Sequence, residues 1–131
     1  MFFLDQCLGQ HLVAQALRDA GVEVELLTDH FNDDVSDDEW LAEVGSRNWV
    51  ALTKDKRIRR RPAELAALMK GNTRTFLLTA GNIRGADMAQ AIVSALPRMK
   101  QFVRDFPAPF VATIAKSGTV RMLLRRTDIA S

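Results

Sequence analysis

Acidic side chains recur in this chain where an apolar run gives way to polar residues. Asp5 ends "MFFLD". Asp37, with Asp38 and Glu39 beside it, heads "SDDEWLAEVGSRN". Asp55 lies two residues past the apolar "WVALT". Carboxylates gathered in one place repel unless a cation offsets them or one takes up a proton. A hard divalent cation binds such oxygen ligands, and Mg²⁺ takes a few carboxylates while keeping several waters. A cation held that way polarises and orients a phosphodiester and activates water for in-line attack. Each acid also has an ordinary role open to it. Asp5 suits a helix N-cap, Asp37 to Glu39 complement a helix dipole, and Asp55 suits a salt bridge.

The surroundings of Asp55 are unusual. In "LTKDKRIRRRPAEL", residues 52–65, six bases crowd around it: Lys54, Lys56, Arg57, Arg59, Arg60 and Arg61. Bases beside an acidic pocket can hold the phosphates on either side of a scissile bond, with salt-dependent and largely sequence-blind affinity. The acids alone would repel a nucleic acid. The plainer alternative is a solvated loop whose arginines pair with acids elsewhere. There are acids to pair with: through Ala51 the chain has eleven acids against two bases, a net −9, and from Leu52 onward five against sixteen, a net +11.

Positioning these groups falls to the elements between them. "MFFLD", "VEVELL", "WVALT" and "RTFLLT" read as strands by length and composition. "LGQHLVAQALRDAG" has Leu8, Leu12, Val13, Ala16 and Leu17 at helical spacing, and Gly21 is a natural stop. Ser36 with Glu39 forms a capping box for the second helix. Pro62 suits the first turn of a third, "AELAALMK". "GADMAQAIVSALPRMKQFVRDF" predicts a fourth, broken or kinked near Pro97. "FVATIAKSGTVRMLL" reads as a β-hairpin turning at Ser117-Gly118. Strands alternating with helices imply βαβ units, so the expectation is an α/β fold. It is a three-layer α/β/α sandwich with a mainly parallel sheet of four or five strands and a C-terminal β-hairpin. Ligands bind at the carboxyl ends of strands in such sheets, and Asp5, Asp37 and Asp55 come to that edge from three segments.

The chain's 131 residues suit one domain over 1–131. No apolar run is long enough to span a membrane, and "MFFLDQ" lacks the basic leader of a signal peptide. Cys7 is the one cysteine, so no internal disulfide forms, and cytoplasm is the expected compartment.

"FFLDQCLG", "SDDEWLAEVGSRNWVALTKDKRIRRRP" and the βα order resemble the PIN-like nucleases. The match is to small PIN-like proteins with an FxD start, a DxxWL helix and a TxDxxIRRRP ending, and it covers roughly the first eighty residues. The group includes VapC-type toxins of bacterial toxin–antitoxin pairs, which are Mg²⁺- or Mn²⁺-dependent ribonucleases. The resemblance implies a PIN-like fold and an endoribonuclease. It gives Asp5, Asp37 and Asp55 as metal ligands, with Asp38 and Glu39 as secondary candidates. It also implies RNA as substrate, an antitoxin as partner and a homodimer. Many relatives carry a further acid two residues after the Asp55 position. Arg57 stands there in this chain, which implies one tightly held metal with a second recruited by RNA phosphate. The same departure supports a rival reading, a catalytically inactive module that binds RNA or protein. A second rival is a small-molecule phosphohydrolase or a receiver-like regulatory domain.

Other residues carry less. His11 and His30 are far apart, and nothing places them for a Ser/His/Asp or Cys/His mechanism. Trp40 and Trp49 fit core positions of a helix and a strand. Asn82 and Arg84, in "TAGNIRG", fall at the carboxyl edge and either touch substrate or form the turn. "GNIRG" has the wrong spacing for a Walker or Rossmann loop.

Overall fold

The computed structural model of the chain describes residues 1–4, 10–26, 37–54, 62–79 and 84–125. In chain order these form β1 (Phe2–Leu4), α1 (Gln10–Asp19), β2 (Val24–Leu26), α2 (Asp37–Ser46), β3 (Val50–Lys54), α3 (Pro62–Lys70), β4 (Arg74–Leu78), α4 (Gly85–Asp105), β5 (Phe110–Ile114) and β6 (Val120–Arg125). The strands form one sheet in the order β2-β1-β3-β4-β5-β6. All neighbours are parallel except β5 and β6. The sheet thus has six strands rather than four or five. In the hairpin β5 extends the parallel part beside β4, and β6 adds one antiparallel strand at the edge.

Alternation along the strands builds two cores. Phe2, Leu4, Val50, Leu52, Phe76, Leu78, Phe110, Ala112 and Ile114 face α1 and α4. Phe3, Ala51, Leu77 and Val111 face α2 and α3. Helices therefore cover both faces, as expected of an α/β/α sandwich. No described helix is long and apolar enough to cross a membrane.

Two helix ends show how the sequence directs the chain back to the amino edge of the sheet. After α1, Gly21 at φ 84° donates to Arg18 O, and Val22 donates to Leu17 O. After α2, Asn48 at φ 57° donates to Gly45 O, and Trp49 donates to Val44 O. Both are Schellman closures, with a left-handed residue just past the helix.

Tertiary packing decides two details of the helical patterns. Leu12 is 56% exposed, and the buried stripe of α1 is Val13, Ala14 and Leu17. Leu12 instead faces the start of α4, where a Cβ on Gly85 would meet its Cδ1 at 2.9 Å. Nor does α4 break at Pro97; it runs through that residue as one helix. Pro97 is on the exposed side, where the carbonyl that loses its partner can meet water. Buried Met88, Ile92, Ala95, Leu96 and Met99 hold both halves to the sheet.

Candidate active site at the carboxyl edge of the sheet

The proposed ligands come from elements that are distant in sequence and adjacent in space. β1 and β3 lie side by side and in parallel, with Leu4 opposite Leu52. Asp5 is the residue after β1, and Asp55 the residue after β3. β4 continues the same edge beside β3, with Lys54 opposite Leu78. There the backbone N–H and the Oγ1 of Thr79 both donate to Ile114 O, at 2.9 and 3.2 Å, joining the ends of β4 and β5.

The first turn of α2 reaches this edge for a packing reason. The ten-residue helix runs back toward the start of β3, so its beginning lies at the opposite, carboxyl end. Trp40, 4% exposed, stacks on Phe3 with ring centroids 5.8 Å apart. Trp49 stacks on the same ring at 5.6 Å. Phe3 is fully buried and lies two residues before Asp5, while Trp40 directly follows Glu39. One aromatic contact therefore fixes the head of α2 relative to the end of β1. At the other end of α2, Gly45 lies so close to Gly71 O that no side chain fits between α2 and the turn after α3.

Of the candidate ligands, Asp37, Asp38 and Glu39 are the first three residues of α2, and Glu39 is exposed. Asp5 and Asp55 lie outside the described residues. So do Lys56, Arg57, Arg59, Arg60 and Arg61, along with Cys7, His30 and Asn82. Lys54 is the last residue of β3 and is half-buried. Arg84 is exposed at the N-cap of α4, on the carboxyl edge. Trp40 is a core aromatic of α2, as its helical position implies, whereas Trp49 precedes β3 and is only half-buried, packing against the core from its margin. Sequence reading missed the turn of the β5–β6 hairpin as a part of this edge. "KSGT" marked the turn, but not which end of the sheet would carry it.

Among the described residues no three His, Cys, Asp or Glu side chains cluster so as to hold a metal ion; the candidate ligands named from sequence are all carboxylates, the donor type that suits a divalent cation of the Mg²⁺ or Mn²⁺ kind. The flanking lysines and arginines suit phosphate.

Comparison with known proteins agrees with this architecture. A family model described as "PIN like domain" matches residues 1–80. A protein of Mycobacterium tuberculosis (strain ATCC 25618 / H37Rv) named "Putative ribonuclease VapC45" is 31% identical over 125 residues. The match covers 92% of this chain and 90% of the relative. No solved structure matches the chain at a comparable level of significance. With a family match over more than half its length and a similar relative along nearly all of it, the chain belongs to the PIN-like family.

Proposed function

We propose that this protein is a divalent-metal-dependent endoribonuclease and the toxin of a toxin–antitoxin pair. The observation that carries the reading is the convergence of three elements. The carboxyl ends of β1 and β3 are adjacent, and the Phe3–Trp40 stack ties the head of α2 to them. All three lead into acids, in a PIN-like chain whose relative is named as a ribonuclease.

In this reading Asp5, Asp37 and Asp55 hold the cation, and Asp38 and Glu39 contribute around it. The cation, when bound, supplies Lewis-acid activation of the phosphodiester and of the attacking water. The chain's own residues do the rest. Lys54, Lys56, Arg57, Arg59, Arg60 and Arg61 hold the RNA backbone on either side of the scissile phosphate and offset the repulsion between carboxylates and substrate. Packing under the first turn of α2 ties that turn to the end of β1, beside the end of β3. The protein acts in the cytoplasm on RNA, as a homodimer, until an antitoxin covers the acidic edge.

The test is cleavage of a mixed-sequence RNA with Mg²⁺ or Mn²⁺, and with chelator, by the wild type, Asp5→Asn and Asp55→Asn purified identically. Cleavage that needs metal and disappears in both variants establishes the nuclease and its site together. Activity that survives equally in the variants refutes the assignment. Arg57, standing where many relatives carry an acid, favours one alternative: a module that binds RNA or protein without cutting. RNA affinity with no cleavage under either metal would select it.

A further inference from the structure

The β5–β6 hairpin bears no metal-ligand candidate, yet its turn stands at the same edge as the site. β5 runs parallel to β4, so Ile114 ends at the carboxyl edge and the turn follows it. That turn has a defined shape. Gly118 N donates to Ala115 O at 2.8 Å, and Ala115 N donates to Thr119 O at 2.9 Å. The Ser117 and Thr119 hydroxyls share a hydrogen bond of 2.9 Å. Gly118 takes φ 89° and presses on α4, where a Cβ would meet that of Ser94 at 2.9 Å. A short hairpin loop with glycine in the left-handed region is one of the common solutions for such connections. It holds Lys116 at the edge as part of a fixed turn.

Arg121 adds a second charge. It pairs across the ladder with Thr113. Val120 and Met122, on either side, pack into the core under α1 and α4, so Arg121 belongs to the opposite face, the one covered by α2 and α3. The chain leaves β3 at Lys54 and enters α3 at Pro62 over that same face. Lys116 and Arg121 are both exposed, and no acid pairs with either among the described residues. From residue 106 to 127 the chain has four bases, Lys116, Arg121, Arg125 and Arg126, and no acid. β5 is the second strand beyond β3, so the turn is about 10 Å from the end of β3 at ~4.8 Å per strand. That is roughly three phosphates at the ~3.4 Å spacing of one stacked strand.

We propose that the β5–β6 hairpin is a substrate-positioning arm. Lys116 in its turn and Arg121 beside it hold RNA phosphates a few nucleotides from the scissile bond. RNA then leaves the site across β4 and β5, away from β2. The proposal rests on the reading of the protein as a ribonuclease and adds the direction in which its substrate lies. Lys116 and Arg121 are positioning residues; they do not touch the reacting atoms.

The experiment compares wild type with a Lys116→Gln/Arg121→Gln double variant. Both side chains are exposed, so the variant melts with the wild type. Binding of a long single-stranded RNA is titrated against salt in chelator, where no metal-dependent cleavage occurs. Two lost phosphate contacts lower the slope of log K against log salt by about 1.4, at ~0.7 per contact. At ~0.15 M salt that is an affinity loss on the order of tenfold. A Lys116→Arg/Arg121→Lys variant restores the slope. With metal, cleavage of the long RNA shows a raised KM, while cleavage of a dinucleotide, too short to reach the hairpin, is unchanged. An unaltered slope and affinity in the glutamine variant overturns the proposal. Wild-type protein that binds RNA, loses slope in the variant and yet cuts nothing leaves the arm standing and removes the nuclease reading. Wild type that binds no RNA removes both.

Discussion

Trp40 offers a sharp test of how the site is assembled, because its ring links α2 to β1 while its own chemistry is inert. Trp40→Ala removes a side chain that is 4% exposed and stacked at 5.8 Å on fully buried Phe3. Truncations of this kind cost about 3–5 kcal/mol, the sum of lost burial and an incompletely closed cavity. A chain of 131 residues has a stability of about 7–20 kcal/mol at ~0.05–0.15 kcal/mol per residue. The variant therefore stays folded, with its urea midpoint lowered by about 2 M for a slope of ~2 kcal/mol/M. If the stack holds the acids of α2 against those after β1 and β3, losing it displaces them. A misplacement of about 1 Å can cost ~10²-fold in rate. Metal-dependent RNA cleavage should fall by that order under conditions where circular dichroism shows the variant folded. Trp40→Phe keeps a ring on Phe3, retains an aromatic pairing of about 0.5–1.5 kcal/mol, and should stay within a few-fold of wild type. A folded Trp40→Ala protein that cleaves like the wild type would refute the positioning role. An unchanged urea midpoint would refute the packing argument beneath it.

Two further substitutions probe the frame around the site. Gly45→Ala sets propensity against space. Alanine is favoured over glycine in a helix by ~1 kcal/mol, but the new Cβ would fall on the carbonyl oxygen of Gly71. A backbone atom cannot swing aside, so overpacking of about 1–3 kcal/mol wins, and the urea midpoint falls; a rise would show that the α2–α3 contact is loose. Gly21→Ala meets nothing within 4 Å but inherits φ 84°. Its loss of ~1–2 kcal/mol comes from backbone conformation alone, and an unchanged midpoint would mean that the end of α1 can adopt another closure.

How far the sequence could be read depended on whether a feature was local. The apolar runs, the Gly21 stop and the Ser117-Gly118 turn are short-range signals, and the elements they imply are present. Pro97 does not break α4, a helix whose apolar face is buried along its length. Leu12 fits the helical spacing of α1 yet lies outside its buried stripe, and the start of α4 decides where it lies. Strand order was the least legible feature. β2 intervenes in the chain between β1 and β3, yet it lies on the outer side of β1. Only that arrangement makes the ends of β1 and β3 neighbours, and no run of residues encodes it. The acids could be named from sequence, while the adjacency of the strands that lead into Asp5 and Asp55 is a long-range pairing with Leu4 opposite Leu52.

That same strand order turns the charge split of the sequence into a division in space. The acidic part of the chain, through Ala51, supplies β2 and β1 and the helices α1 and α2. The basic part supplies most of β3 and all of β4, β5 and β6. Because β2 and β1 occupy one end of the sheet and β4 to β6 the other, opposite charges flank the junction of β1 with β3. Reversing the order of β1 and β2 would leave composition and local structure intact and put a strand between Asp5 and Asp55. As built, the strands that lead into Asp5 and Asp55 are neighbours at the boundary. A polyanion drawn to that boundary is repelled from the β2 side and attracted along β4 and β5. The proposed direction of the RNA therefore rests on the asymmetry of charge along the carboxyl edge and not on the total, which is only +2.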